Sequence, residues 1–397
     1  MRLTFAVAQA TWYNIIMNKA YVYRLYPTDD QKILFAKTFG CCRKIWNLML
    51  GDRIDAYNDY GITLLPTPAW YKSDDRYSYL KEVDSLALAN VQLDLQRAYV
   101  AAFDQPGRGY PKFKSKRRAK LSYTTNNQNG TISVTDGHIR LPKAGMVKAR
   151  IHRKAPSYMK LKSATVSYDK CGRYYVSILY EYDRADIFSN THTSDDPEKL
   201  LGLDYKSDGL YVDSEGRCAD MPHFYRKAQN KLKHLQRGLS RKVGSKKGET
   251  PSHNFEKQLV RVRKQYRHVA DQRRDYLQKR STALADEYGL IGVEDLSLKG
   301  MSSSKGLGLG KATNDNGFGM FIQMLAYKMA DRNKSLIKVG RTFPSSQLCQ
   351  CGYKNPITKD LSVRRIICPM CGRTYDRDIN AAINIRNEAY RIFRCGE

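Results

Sequence analysis

Hydrophobic and polar residues alternate along several short segments of the chain, and elsewhere apolar residues recur every three or four positions. Residues 19–26 (KAYVYRLY) alternate, which predicts a strand, and the following PTDDQ has the composition of a helix start with Thr28 or Asp29 as cap. A second helix is predicted from Ser85, after a Pro-containing loop at 62–72. The two predicted apolar faces contain Phe39, Cys42, Trp46, Leu50, Ile54 and Tyr57, and then Leu88, Val91, Leu95, Tyr99 and Phe103.

Short alternating segments separated by turn residues run from Leu121 to Tyr182. This pattern predicts a small β-barrel or sandwich. The strand at 19–26 is expected to join it, which would make the helical segment 30–105 an insertion. Residues 184–198 are rich in Asp, Ser and Thr and are predicted to be a linker.

Two short apolar strands in the second half of the chain end in an acidic residue. Leu200–Leu203 is followed by Asp204, and Leu290–Val293 is followed by Glu294. Carboxylates that project from strand ends are expected to converge at one edge of a sheet. Its other predicted elements are a hairpin at 211–216, a long basic helix at 253–287, a helix at 318–332 and a strand at 336–339.

The net charge of the chain indicates what kind of partner the protein binds. The 397 residues contain 68 Lys and Arg against 39 Asp and Glu, a net charge of +29. A surplus of this size indicates a polyanion partner, nucleic acid first and an anionic membrane surface second. No apolar run approaches the ~18 residues of a membrane-spanning helix, and the length allows two or three domains at ~150 residues each.

The positive charge is concentrated in two segments. Six of the nine residues 112–120 are Lys or Arg, and residues 221–280 contain 18 Lys and Arg against 4 acids. A solvated loop is the alternative for the first segment, but phosphate contact is favoured within this net charge. The candidate nucleic-acid contacts are Lys112, Lys114, Lys116, Arg117, Arg118, Lys120, Arg261, Arg263 and Lys264.

The first sixteen residues resemble a signal peptide, with Arg2, an apolar stretch at Leu3–Ala8 and an A-x-A sequence. The apolar stretch has six residues, fewer than the 7–15 that such peptides usually contain. An extension upstream of a natural start at Met17 is therefore the favoured interpretation.

Four of the nine cysteines lie within 23 residues. Cys368 and Cys371 form a Cys-x-x-Cys-Gly knuckle, and Cys349 and Cys351 form a second pair 16 residues upstream, which together predict a four-cysteine zinc ribbon. The first pair is one residue shorter than usual, so both thiolates reach one ion less easily, and a ribbon without zinc is the alternative. The other five cysteines read as ordinary thiols.

A third acid, Asp378, opens an Ala-rich helix, and with Asp204 and Glu294 it forms a candidate metal site. Three close carboxylates require a cation, and two divalent ions ~4 Å apart would clamp a phosphodiester. Each acid also has a local alternative as a turn or capping residue. Asp295 and Asp376 compete for the roles of their neighbours.

These segments resemble the TnpB family of transposon-encoded RNA-guided nucleases, relatives of the miniature type V CRISPR effectors. The resemblance extends from Met17 to about Arg386, and the short Cys-Gln-Cys pair and the residues before Met17 depart from the family pattern. The matching segments are YRLYPTDDQ, Gly40–Leu50, LGLD, Tyr211–Gly216, GVEDL, FPSS, Cys351–Asn355, Cys368–Gly372 and DRDINAAINI. It implies an α/β plus β-barrel fold: a RuvC-like nuclease of the ribonuclease H type with a zinc ribbon, and a wedge barrel interrupted by recognition helices. The implied domains are 1–16 as extension, 17–30 and 119–190 as wedge, 31–118 as recognition insertion, 191–345 and 376–397 as nuclease, and 346–375 as ribbon.

The resemblance also implies the chemistry. Asp204, Glu294 and Asp378 would bind two catalytic Mg²⁺, and Cys349, Cys351, Cys368 and Cys371 a structural Zn²⁺. A transposon-end RNA would guide the protein, with one chain per RNA and in the cytoplasm, to double-stranded DNA. Base pairing between this RNA and the DNA would then recognise most of the target sequence. Asn90, Gln92 and Gln96 are candidate readers of a target-adjacent motif, and exposed helix positions without that role are the alternative.

Two further roles are expected at the nuclease site. Arg364 or Arg365 would contact the scissile phosphate, and residues 302–312 would form a mobile lid. The rival functions are an RNA-guided repressor with a weak nuclease and a transposase or its accessory protein. The presence of all three acids counts against the repressor.

Overall fold

The computed structural model describes residues 16–105, 107–183, 199–246, 248–303, 310–359 and 363–395. They form two compact units, one on each side of the 184–198 segment. The predicted extension up to residue 15, the predicted linker and the central part of the predicted lid at 302–312 lie outside the described residues.

The first unit is built on one antiparallel sheet of seven strands in the order β2-β6-β7-β1-β5-β4-β3. The first strand lies at its centre, paired with β7 on one side and β5 on the other. Hydrogen bonding leaves β2 and β3 as edges, so the strand pairing does not close the sheet into a barrel. The strands are β1 (Ile16–Tyr26), β2 (Ser122–Asn126), β3 (Ser133–Thr135), β4 (His138–Leu141), β5 (Gly145–Arg150), β6 (Lys160–Asp169) and β7 (Arg173–Asp183).

Helices α1 (Asp29–Tyr60), α2 (Pro68–Lys72) and α3 (Ser85–Asp104), and a 3₁₀ turn at Asp75–Lys81, lie between β1 and β2 along the chain. Thr28 caps α1 in a capping box with Gln31, as the PTDDQ sequence predicts. The loop predicted at 62–72 contains α2, because Pro68 stands at the first helical position, where its missing N–H costs nothing.

The helices of the first unit pack against its sheet through aromatic side chains. Phe35 and Phe39 of α1 contact Tyr123 of β2, with ring centroids 6.3 and 5.8 Å apart. Two predictions of burial are wrong. Phe103 is 67% exposed in the last turn of α3, and Tyr57 is 65% exposed in the last turn of α1.

The second unit contains a mixed sheet of five strands in the order β10-β9-β8-β11-β12, in which β8, β11 and β12 are parallel. Its strands are β8 (Leu200–Tyr205), β9 (Tyr211–Asp213), β10 (Cys218–Ala219), β11 (Leu290–Glu294) and β12 (Ser335–Val339), and a separate ribbon pairs β13 (Arg365–Ile367) with β14 (Thr374–Asp376). Its helices are α4 (Phe224–Ser240), α5 (His253–Glu287), α6 (Leu298–Ser303), α7 (Gly310–Asn316), α8 (Phe318–Ala330) and α9 (Arg377–Cys395), with a 3₁₀ turn at Pro356–Lys359. The α/β prediction for this half is confirmed, although α4 had no separate prediction.

Helices cover both faces of the mixed sheet, and successive strand residues alternate between them. Leu203 and Val293 pack on one face with Phe321 of α8. On the opposite face, Leu290 packs with Ile385 of α9. This second face is called the α9 face below.

Two glycines opposite each other allow α9 to lie directly on the strands. Gly202 of β8 pairs in register with Gly292 of β11. A Cβ on Gly202 would lie 1.9 Å from the carbonyl oxygen of Ala382, and one on Gly292 would lie 2.6 Å from the Cβ of Ala389. Helix and sheet backbones therefore approach more closely than any side chain on these two strand positions would permit.

We expect Gly202→Ala to destabilise the second unit by the upper end of the ~1–3 kcal/mol typical of overpacking, because its neighbour is rigid backbone. Chemical denaturation followed by circular dichroism measures the change. Gly340→Ala is the matched control in the same unit, since no heavy atom lies within 4 Å of its added Cβ. Equal stability of the two variants would contradict the close-contact explanation.

Candidate active site and cysteine cluster

The alternation along β8 and β11 places two acids on the α9 face. Gly202 and Asp204 share that face, as do Gly292 and Glu294, because residues two apart in a strand point the same way. Leu203 pairs with Val293, so Asp204 and Glu294 follow at neighbouring positions of adjacent parallel strands. The two acids predicted at strand ends are therefore brought together.

The third predicted acid lies at the start of the helix that covers this face. Asp378 is in the first turn of α9. The cap of this helix is Asp376, whose Oδ1 accepts the N–H of Asp378 at 2.9 Å and that of Ile379 at 3.0 Å. The alternative of Asp378 as the capping residue is therefore wrong, and its carboxylate is left for another partner.

Burial raises the pKa of Asp204 well above its ordinary value, and the negative charges of Glu294 and Asp378 raise it further. The guanidinium of Arg377 acts in the opposite direction. The three carboxylates thus repel one another across a partly buried space. Oxygen donors in such a set suit a hard divalent cation such as Mg²⁺, so the residues fit the ion that the resemblance implies.

Neighbouring side chains hold two of these acids. The Oγ of Ser345 donates to the Oε1 of Glu294, and Nη1 of Arg364 donates to both carboxylate oxygens of Asp378 at 2.9 Å. The sequence predicted no role for Ser345 or Arg377 at this site, although Ser345 is part of the FPSS motif and Arg377 is part of the DRD motif. Their proximity depends on tertiary structure.

The remaining candidates near the site point elsewhere. Asp295 pairs with Arg341 at 2.9 Å and with Lys338 at 3.7 Å, so it does not replace Glu294. Arg365, the alternative to Arg364, is exposed on β13.

The four predicted zinc ligands form one cluster. The Sγ atoms of Cys349 and Cys371 are 3.7 Å apart, and those of Cys351 and Cys368 are 3.6 Å apart. A tetrahedral zinc with sulfurs at about 2.3 Å places neighbouring sulfurs about 3.8 Å apart. Within the described ranges, this is the one set of three or more His, Cys, Asp or Glu residues whose ligand atoms all lie within 4.8 Å of one another. The geometry fits zinc, and the shortened pair does not prevent it.

A turn ending in glycine follows each cysteine pair. The N–H of Gly352 donates to the carbonyl of Cys349, and the N–H of Gly372 to that of Cys368, both at 2.9 Å. Both glycines have positive φ, 86° and 69°, which other residues rarely adopt. Burial raises the pKa of the Cys368 thiol, but hydrogen bonds, among them those from backbone N–H groups, together lower it by more, so that it is about 7. The lowered pKa favours the thiolate that binds metal.

The predicted nucleic-acid contacts are mostly exposed. Lys114 differs, because its Nζ lies 3.4 Å from the centre of the Trp46 ring and burial lowers its pKa. Arg263 is half-buried on α5. The exposed members are Lys112, Lys116, Arg117, Arg118, Lys120, Arg261 and Lys264.

The candidate motif readers on α3 differ in accessibility. Asn90 is 7% exposed and donates to the carbonyl of Leu86 at 2.8 Å, so its amide is already engaged inside the unit. Gln92 is half-buried. Gln96 is exposed and accepts a hydrogen bond from Arg53 at 3.0 Å.

Comparison with known proteins decides the family. A protein of Streptomyces pristinaespiralis named "Putative RNA-guided DNA endonuclease" is 31% identical over 96% of this chain and 92% of its own length. The chain belongs to the TnpB family. InsQ of Escherichia coli K12, named "Putative RNA-guided DNA endonuclease InsQ", is 28% identical over 96% of this chain and 94% of its own length.

Three family profiles match successive parts of this TnpB-family chain. They are a "Helix-turn-helix domain" at residues 17–61, a "Probable transposase" at 177–305 and a "Cas12f1-like, TNB domain" at 318–385. The last contains the cysteine cluster and Asp378. Residues 17–61 form β1 and α1 in this structure.

The fold also resembles that of a solved structure. A chain in the cryo-EM structure of the Cas12f1–sgRNA–target DNA complex matches with a TM-score of 0.58 and 12% identity, covering 94% of this chain and 99% of that one. This likeness supports the mixed α/β fold. Among the helices described, none is long and apolar enough to cross a membrane.

We expect the purified protein to contain about one zinc per chain, because the four sulfurs already have tetrahedral spacing. Elemental analysis measures the content. Cys371→Ser should remove the zinc, whereas Cys218→Ser, an exposed cysteine outside the cluster, should leave it unchanged. Wild-type protein without zinc after expression in zinc-supplemented medium would contradict the assignment.

Proposed function

We propose that this chain is an RNA-guided DNA endonuclease encoded by an insertion-sequence transposon. The observation that carries the proposal is the convergence of Asp204, Glu294 and Asp378 on the α9 face, in a family member with a net charge of +29. The acids suit phosphodiester hydrolysis, and the positive charge suits the RNA and DNA that must be held.

In this proposal the three acids hold two Mg²⁺, which would activate water and stabilise the leaving oxygen of a DNA strand when bound. Asp204 would lie between the other two acids, consistent with the influence of both on its pKa. Ser345 orients Glu294, and the cap formed by Asp376 holds the first turn of α9 in place.

Arg364 would have two successive partners. Its guanidinium is bound to Asp378, yet the side chain is 61% exposed. Once Asp378 is engaged by cations, that guanidinium would turn to the scissile phosphate, for which its planar donors are suited. Arg365 is the second choice, because no side-chain bond to the acids brings it to the site.

The basic residues would bind the nucleic acids. We assign phosphate contact to the exposed members of 112–120 and to Arg261, Arg263 and Lys264 of α5. Guide RNA from the transposon end would pair with double-stranded target DNA, so pairing reads most of the sequence. Gln92 and Gln96 remain proposed motif readers, and Asn90 is the weaker choice because its amide is engaged.

The domain division is part of the proposal. The seven-stranded sheet (17–30 and 119–190) would serve as the wedge and α1–α3 (31–118) as the recognition insertion. The nuclease would comprise 191–345 and 376–397, with the ribbon at 346–375. We also propose one protein per RNA and a cytoplasmic location.

A catalytically weak RNA-guided repressor and a transposase accessory protein are the alternative functions. The match to the "Probable transposase" profile is the observation that supports the transposase accessory protein. The complete set of acids favours an active nuclease. A cleavage assay with and without the transposon-end RNA separates the nuclease from both alternatives, and RNA-dependent DNA binding without cleavage would identify the repressor.

We expect a specific RNA to copurify with the protein and to resist a high-salt wash, since phosphate contacts alone weaken steeply as salt rises. Sequencing of the bound RNA is the measurement. The absence of any specific RNA after the wash would contradict RNA guidance.

We expect Asp204→Ala, Glu294→Ala and Asp378→Ala each to reduce DNA cleavage at least about a hundredfold, because each removes a ligand of the paired ions. Binding of RNA and matched DNA should persist, because it depends on phosphate contacts and base pairing. Cleavage gels and gel-shift titrations on the same preparations measure both quantities.

Asp376→Asn is the matched control, since asparagine keeps the capping acceptor and should leave substantial activity.

Asp204→Asn gives a second check. Its carboxylate has a raised pKa in the folded state, so the charged form costs stability at neutral pH, and the amide should raise the melting temperature of the metal-free protein. Full cleavage by any of the three alanine variants would refute the role of that acid.

A further inference from the structure

The residue inside the shortened cysteine pair is attached to the nuclease helix. Gln350 stands between Cys349 and Cys351, and its Nε2 donates to the Oδ1 of Asn384 at 2.9 Å and of Asn380 at 3.1 Å. The two asparagines lie one turn apart on α9 and are 7% and 2% exposed. A carboxamide that reaches both acceptors at once has little freedom to move.

The same two asparagines donate hydrogen bonds to the segment that leads into the cysteine pair. Their Nδ2 groups donate to the carbonyl of Leu348, at 2.6 Å from Asn380 and 2.7 Å from Asn384. Asn384 also donates to the carbonyl of Ser345 at 2.7 Å. The segment 345–350 is thus bound to α9 by two asparagines and one glutamine.

This segment contacts the acidic site at one end and the helix that carries Asp378 at the other. Ser345 donates to the carboxylate of Glu294, and Asn380 lies two residues after Asp378 in the same helix. Segment 345–350 therefore contacts one acid directly, through Ser345, and is bound through Gln350 to the helix that carries a second acid, Asp378.

The length of the cysteine pair restricts Gln350. With a single residue between two cysteines, a bound zinc would hold the intervening backbone on both sides, and a longer loop would relax that restriction. Met370 in the other, longer pair shows the contrast, since its side chain is 75% exposed.

We propose that Gln350 is a positioning residue that connects the zinc ribbon to α9 and thereby sets the affinity of the acidic site for divalent cations. The proposal rests on the proposed function only for the identity of the acids. The ribbon would act as an anchor for segment 345–350, and the asparagines would pass that placement to Asp378 and Glu294. Outer partners of this kind orient metal ligands without touching the metal.

The test compares Gln350→Met, which keeps side-chain length and loses both hydrogen bonds, with Met370→Ala as the matched control. Both are measured as zinc-loaded, RNA-bound protein. We expect Gln350→Met to raise the Mg²⁺ concentration for half-maximal cleavage about tenfold, with the rate at saturating Mg²⁺ little changed. Met370→Ala should behave as wild type. A merely structural defect would lower the saturated rate as well, and would count against the proposal.

Hydrogen exchange supplies a readout that does not depend on cleavage. Gln350→Met should lose amide protection in the first turns of α9, and zinc content should stay at one per chain. In a Cys371→Ser background, adding Gln350→Met should change protection little, because the anchor is already gone. If the wild type does not cleave, this arm still decides whether Gln350 holds α9 in place.

Unchanged protection of α9 together with an unchanged Mg²⁺ requirement in Gln350→Met would overturn the proposal. Loss of zinc in that variant would also overturn it, because Gln350 would then support the ribbon itself rather than transmit its position.

Discussion

The second unit depends on the direct contact between α9 and the bare backbone of β8 and β11. Gly202 and Gly292 leave no side chain between helix and strands, and Ala382 and Ala389 present the smallest side chains in return. The same alternation that places the glycines under the helix places Asp204 and Glu294 beside its first turn. One packing constraint therefore determines both the core of the unit and the place where its acids meet.

Bringing acids together works against stability, and the surrounding residues show how the fold tolerates it. Arg377 lowers the pKa of Asp204 while burial raises it, and Arg364 neutralises Asp378 from the exposed side. Ser345 supplies a neutral donor to Glu294. The site is held in a geometry that its own charges oppose, which is common where function sets the arrangement.

Sequence reasoning succeeded where a local pattern dictates structure. The strand ends at Asp204 and Glu294, the capping box at Thr28 and the long helix at 253–287 all follow from periodicity or capping chemistry within a few residues. It failed where the answer depends on distant packing. The burial of Asn90 depends on what α3 packs against, and the partners of Arg364 and Ser345 are supplied by tertiary structure.

The central position of β1 has a consequence for how the first unit is made. Ile16 pairs with Asp183, so β1, the first of the described strands, meets its longest partner only after more than 150 further residues have been synthesised. Helices α1 to α3 can form early, but the sheet on which they pack is complete only when β7 emerges. Contacts so far apart in sequence fold slowly and leave strand edges open meanwhile. The first unit should therefore depend on chaperones, or on an early ligand, during synthesis.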